Sequence, residues 1–366
     1  MRVRDGANLA LLFSLQPLKM EEADLARYVH SKARNYNHLE DECRKGLREH
    51  DNGLIVAVAH RLAALGHLAA NSYDDAYKSV HNCYNAIMDF IGGADQTAYM
   101  TPVFVRILND LREVACIADK AKPERERLSN PCLRDSQNSI TRGFTLVKKD
   151  RKPLSDPSTR KLTIFAVTNV LFKIYFKLNT LQLCGKLINL VETHDTMENL
   201  TLFPVSDVVT YKYYVGRLKM FEDQYEEARE CLRFALQYCP RRCTRNRQLI
   251  LASLVPLEMA LGVMPSQKVA TEYGLNTLVD IGEAVQRGDL RSFNSLVQQN
   301  RPTFIRLGVY LVIEQIKTVV YRNLFKRIQQ ITESTRLSVH TFQAITSWLG
   351  ESMDLDEIEC ILSNLI

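Results

Sequence analysis

The chain has 366 residues, room for two or more domains, and its 46% apolar and 24% charged residues are globular proportions that exclude a disordered or fibrous chain. Lysine and arginine number 47 against 42 acids, a net charge of +5, so any nucleic-acid surface must come from the distribution of charge and not its total. Nine cysteines, an odd number, argue for the reduced thiols of cytosol or nucleus against a secreted disulfide framework, and no apolar run reaches the roughly 20 residues of a membrane span.

The first residues set Arg2 and Arg4 ahead of an apolar stretch from Ala7 to Leu15. Asp5 interrupts the basic part and no small-residue cleavage site follows, so the stretch reads as an amphipathic helix and not a secretion signal. From there to about Ala118 the apolar positions keep helical spacing, loosely at Leu25, Val29, Leu39 and Leu47 and closely at Leu54, Val58, Leu62 and Leu65. Residues 1–120 are expected to form N-terminal helical repeats. Between 121 and 160 the character changes, with Pro123, Pro131, Pro153 and Pro157 set among serine, aspartate, lysine and arginine; a flexible or partly helical connection is expected there. Helical pattern resumes at Leu162. Phe165, Phe172 and Phe176 fall on one side, Leu171, Ile174 and Leu178 on another. A helix apolar on several faces lies between neighbours, so the aromatic stripe reads as core.

Within Tyr211 to Pro240, the residues Gly216, Tyr225, Ala228, Leu232, Ala235 and Pro240 stand at the spacing of a tetratricopeptide-type (TPR-like) helical hairpin, a repeat of about 34 residues. Gly216 and Ala228 are small where two antiparallel helices must approach closely. Tyr225 plugs the turn, and Pro240 stops the second helix by removing an amide donor. Tyr73, Ala76, Val80 and Cys83 repeat the second half of the pattern, a degenerate earlier copy. Such a hairpin buries both apolar faces only by stacking on neighbours, so residues 161–290 read as TPR-like repeats. A further helix, Leu249 to Leu261, is expected to kink or break at Pro256.

Residues 291–366 follow a different grammar. Gly288 and Asp289 are placed to end one helix and cap the next. A long helix is expected from about Phe304 to Ile331, then a short one from Val339 to Leu349, a turn at Gly350 and a last helix from Leu355, whose apolar face is Leu355, Ile358, Leu362 and Leu365. Short helix, turn, helix is the grammar of a helix-turn-helix or winged-helix module. The sequence stops where a wing hairpin would follow, so the module is expected without its wing. The fold class is therefore all-α: helical-hairpin repeats ending in a small winged-helix module.

No catalytic constellation is recognisable. Phosphate-binding glycine loops, the G-x-S-x-G elbow and the H-E-x-x-H zinc helix are all missing from the sequence. Cys239 and Cys243 have no second pair to complete a zinc site, and Cys239 reads as packing beside Pro240. No enzyme activity, cofactor, metal or small-molecule substrate is expected. Two basic clusters stand out instead. Arg241, Arg242, Arg245 and Arg247 lie together without an acid among them, and the stretch from Arg301 to Arg336 holds Arg306, Lys317, Arg322, Lys326 and Arg327 against only Glu314 and Glu333. Unpaired cations of this kind bind phosphate without reading sequence. The last helix opens with Asp354, Asp356, Glu357 and Glu359, the wrong sign for a DNA groove, so a protein is the expected occupant of its exposed face.

Helical repeats leading into a terminal winged helix resemble the PCI family, the helical subunits shared by the proteasome lid, the signalosome and a translation initiation-factor complex. The closing run Leu355 to Ile366, an acidic pair before an Ile/Leu-rich helix, is similar to that family's signature. Leu171 to Lys177, Tyr213 to Arg217, Cys239-Pro240 and Arg306 to Tyr310 resemble the branch that serves mRNA export. That resemblance implies a non-enzymatic nuclear subunit, associated with the nuclear pore. It implies a large scaffold subunit as partner, a small acidic subunit clasping the pair, and RNA or DNA held without strong sequence preference. Carried onto this chain, it implies a nucleic-acid surface at Arg301, Arg306, Arg322, Lys326 and Arg327, with Arg241 and Arg242 as weaker candidates. The scaffold contact is implied around Phe342, Trp348, Ile358 and Leu362. A structural subunit of another PCI assembly, proteasome-lid-like or signalosome-like, is the alternative.

Overall fold

A computed structural model of the chain describes residues 52–93, 100–156, 159–333 and 336–365. The expectations for residues 1–51, including the amphipathic opening, lie outside the described residues. Those described are helical and contain no strand, and they divide into two compact units, Met1–Tyr211 and Lys212–Ile366.

In the first unit, α1 (Asn52–Ala69) and α2 (Tyr73–Gly93) form a hairpin through Asn71, which turns in the left-handed region. Ala76, Val80 and Cys83 of α2 are fully buried, so the earlier copy of the repeat pattern is a packed hairpin. Next come α3 (Thr101–Ala121), the single turn α4 (Glu124–Arg127) and α5 (Pro131–Lys148). Helix α5 makes the segment 121–160 partly helical, one of the two forms expected for it, but as a long helix packed into the unit and not as a connection with short pieces. Its one proline is a start signal, Pro131 occupying the first helical turn where no amide donor is needed. Leu133, Ile140, Phe144 and Val147 then recur at helical spacing and are buried. The chain makes a short 3₁₀ turn at Arg160–Thr163 and enters α6 (Ile164–Leu178), buried on nearly every face. Phe165 meets Phe203 at 4.7 Å and Tyr211 at 4.8 Å between ring centres, and Phe172 stacks on Tyr211 at 5.7 Å; the aromatic stripe is core. Helices α7 (Gln182–Val191) and α8 (His194–Glu198) lead to α9 (Val205–Phe221), in which the boundary between the units falls.

The second unit continues with α10 (Tyr225–Tyr238), α11 (Thr244–Ala260), α12 (Gln267–Glu272), α13 (Asn276–Arg287), α14 (Leu290–Leu307), α15 (Tyr310–Thr332), α16 (Val339–Trp348) and α17 (Leu355–Leu365). One core runs through it, from Leu232 and Leu257 through Ile281, Phe293 and Ile316 to Phe342 and Ile358. A boundary at 290/291 would cut that core, so the repeat helices α10–α13 and the terminal module are one packed unit. At the α9–α10 contact an added Cβ on Gly216 would stand 2.8 Å from Leu232 Cγ, the close approach anticipated for that glycine. Gly288 ends α13 with φ of 63° and Asp289 caps α14 by accepting the Ser292 amide. The long helix expected from Phe304 is two helices, because Gly308 takes a left-handed conformation between α14 and α15. Helix α11, conversely, starts at Thr244 and runs through Pro256 to Ala260.

Candidate nucleic-acid interface

The basic residues fall into those with structural work inside the unit and those without. Arg247 donates to the carbonyls of Leu236 at 3.0 Å and Cys239 at 2.8 Å and to the Tyr273 hydroxyl at 2.9 Å, so it caps the end of α10. Arg327 donates to the Arg287 carbonyl at 2.8 Å and closes the end of α13 in the same way. Lys317 pairs with Glu351, whose carboxylate also accepts from Asn294 at 2.8 Å and from the Tyr321 hydroxyl. Burial opposes the charge on Glu351, yet the hydrogen bonds from Lys317, Tyr321 and Asn294 outweigh it and hold the carboxyl below its ordinary range.

Arg322 and Lys326 differ. They sit one turn apart on α15, both exposed, and neither has a side-chain partner among the described residues. Arg306, at the end of α14, is exposed and unpartnered in the same sense. Arg301 is exposed with its guanidinium 5.4 Å from the centre of the Tyr310 ring. The C-terminal basic residues thus form two groups. Arg301 and Arg306 gather at the α14–α15 elbow, while Arg322 and Lys326 lie about 18 and about 24 Å along α15 from Tyr310. Arg241 and Arg242 are exposed on the turn between α10 and α11 and Arg245 at the start of α11, where the helix N-terminus gives a cation no stabilisation.

Of the residues expected to meet a scaffold partner, Phe342 and Ile358 are core. Phe342 packs edge-on against Phe325 at 4.6 Å, and Ile358 is 0% exposed. This corrects their assignment: they hold α16 and α17 against α15 and present nothing outward. Leu362 is half-buried at the margin of the same core. Trp348 alone of the four is open, at 72% exposure, with the Arg291 guanidinium 5.2 Å from its ring centre and donating to its carbonyl at 2.6 Å. Arg291 escaped the sequence reading because its partner is distant in sequence.

A concave groove lies beside the elbow, lined by Phe221, Asp223, Tyr225, Leu311, Gln315 and Thr318 among others. The Tyr225 hydroxyl sits against Gln315 and 3.0 Å from Asp223, joining the start of α10 to α15. Burial and the Asp223 carboxylate push that phenol up to about 12. Tyr225 does fill the turn, and it reaches beyond the hairpin to do so. Among the described residues no group of three or more histidine, cysteine or acidic side chains is placed to hold a metal ion, and no helix is long and apolar enough to cross a membrane. Cys239 is buried, which pushes its thiol up.

Residues 159–277 match the family model described as PSMD3-like, N-terminal TPR repeats. That stretch runs from the turn before α6 to the start of α13. Among relatives, PCI domain-containing protein 2 of Danio rerio is 30% identical over 89% of this chain and 81% of its own. The PCI domain-containing protein 2 homolog of Drosophila melanogaster is 32% identical over 86% of this chain and 78% of its own. Protein CSN12 homolog of Neurospora crassa is 29% identical over 85% of this chain and 76% of its own. Identity at this level across both units, on a helical fold with TPR-like repeats, shows that the chain belongs to the PCI domain-containing protein 2 family.

Proposed function

We propose that the chain is a non-enzymatic scaffold subunit of the nuclear transcription and export complex 2, acting in mRNA export at the nuclear pore. It docks a large scaffold subunit through the terminal module around Trp348 and Leu362. A small acidic subunit joins the pair, and RNA or DNA is held without sequence preference. The observation that carries the nucleic-acid part is the pair Arg322 and Lys326, exposed one turn apart with no acid paired to either. Cations left unpaired on a rigid helix are available to phosphate at no cost in broken ion pairs. Arg306 and Arg301 extend the surface toward the elbow, and Arg241 and Arg242 supplement it. Arg327 contributes its positive charge while its Nη1 remains engaged at the end of α13.

Binding of a labelled oligonucleotide at low and moderate salt tests this reading. The double substitution Arg322→Glu with Lys326→Glu is expected to weaken binding on the order of 10-fold or more. Unchanged affinity would remove the nucleic-acid role. A second reading, a structural subunit of a proteasome-lid-like or signalosome-like assembly, is favoured by the PSMD3-like repeat match and the CSN12-named relative. A gentle pull-down from nuclear extract separates the two. Export factors of the pore support the first, and lid or signalosome subunits the second.

A further inference from the structure

We propose that the groove beside the α14–α15 elbow receives an unstacked base of a single-stranded nucleic acid whose phosphates lie on Arg322 and Lys326, so that the chain prefers single strands to duplex. The proposal rests on the basic-face reading of α15 and adds the choice of ligand. At 3.6 residues per turn, Leu311, Gln315, Thr318, Arg322, Lys326 and Gln329 share one stripe of α15, and all six are exposed. Groove wall and cations are therefore one continuous surface. Thr318 lines the groove, and Arg322 stands one turn, about 6 Å, beyond it.

The chemistry of the groove selects what enters. Leu311 is 66% exposed and Phe221 is more than one-third exposed, although both belong to helices whose other large apolar residues are mostly buried. The Phe221 ring is braced at the elbow, where a Cβ added to Gly308 would meet Phe221 Cζ at 3.0 Å. Together they give a base an apolar and aromatic surface. Asp223 and Glu314 also line the groove. Their carboxylates repel phosphate and accept from exocyclic amino groups, which favours a base inside and a backbone outside. A duplex keeps its bases stacked and reaches only the cations.

The experiment compares a short labelled single strand of mixed sequence with its duplex, using the full chain and fluorescence anisotropy. Leu311→Ser changes an exposed side chain, and Phe221→Leu keeps bulk at the elbow while removing the ring. Circular dichroism confirms that both variants are folded. Each is expected to weaken single-strand binding on the order of 10-fold and leave duplex binding unaltered, while Arg322→Glu weakens both. Unchanged single-strand affinity in both groove variants, with Arg322→Glu still weakening both ligands, overturns the base groove and leaves the basic face standing. If Arg322→Glu alters neither ligand, the reading beneath it falls too. Loss of a co-purifying protein from the groove variants, with single-strand binding intact, assigns the groove to a protein and also overturns the proposal.

Discussion

An added methyl group at Gly216 would lie 2.8 Å from Leu232 Cγ and 3.1 Å from the Ala228 carbonyl oxygen. The first contact could relax through a side chain, but the second is with backbone, so Gly216→Ala must spread α9 from α10. We expect a loss of about 1–3 kcal/mol, seen as a lower urea midpoint with unchanged slope. Glu351 gives a pH dependence. Its folded-state pKa is held below the ordinary value of 4.5, so its ionised form stabilises the fold above the carboxyl range and that contribution is lost as pH falls through it. The stability advantage of the parent over Glu351→Gln should therefore be largest at neutral pH and shrink on acidification below about 4.5. Thermal denaturation across that range checks the sign. Gly216 was legible in the sequence because a small residue at a fixed register has one geometric meaning. Phe342 and Ile358 were misread because an apolar residue names a buried face and not the body it faces. The phase of α17, with Ile358 at the centre of its apolar stripe, marks that residue as core, whereas Trp348 carries its meaning by remaining exposed.

The helices follow from the spacing of apolar residues, and proline does not by itself punctuate them. Proline stops a helix when its missing donor and ring clash go uncompensated, yet α11 runs through Pro256 and α14 through Pro302. At α5 the proline is an opening. The helix lacks a local side-chain cap, since Asn130 lies in the left-handed region and makes no such bond. Asp119, buried at the end of α3, supplies it instead, its two carboxylate oxygens accepting the Cys132 amide at 3.0 Å and the Leu133 amide at 2.9 Å. This cap comes from another helix, so the capping residue of α5 is not legible locally, although Pro131 and the apolar spacing after it are. Asp119→Ala strands two amide donors and removes a negative charge from a helix N-terminus. We expect a loss of about 1–2 kcal/mol, with hydrogen exchange accelerating first in the opening turn of α5. Acceleration confined to other helices would show that the cap does not govern α5.

On the scale of the whole molecule, a net charge of +5 over 366 residues is too dilute to hold nucleic acid by itself. At physiological ionic strength charges more than about 8 Å apart on the surface are largely screened from one another. What matters is a local group such as Arg322 and Lys326, whose spacing of about 6 Å along α15 falls inside that length. This separates two accounts that composition alone leaves equal. If total charge governed binding, any two reversals of exposed cations would weaken it alike. If the α15 face governs it, reversing Lys177 and Lys186, which are also exposed and lie outside both basic clusters, should leave affinity nearly unchanged. Arg322→Glu with Lys326→Glu should then lower the slope of log affinity against log salt by about 2, one for each phosphate contact removed. A salt titration of the parent and the two double variants decides between them, because equal slopes in the variants would mean that the molecule meets nucleic acid as a diffuse charge and not through a face.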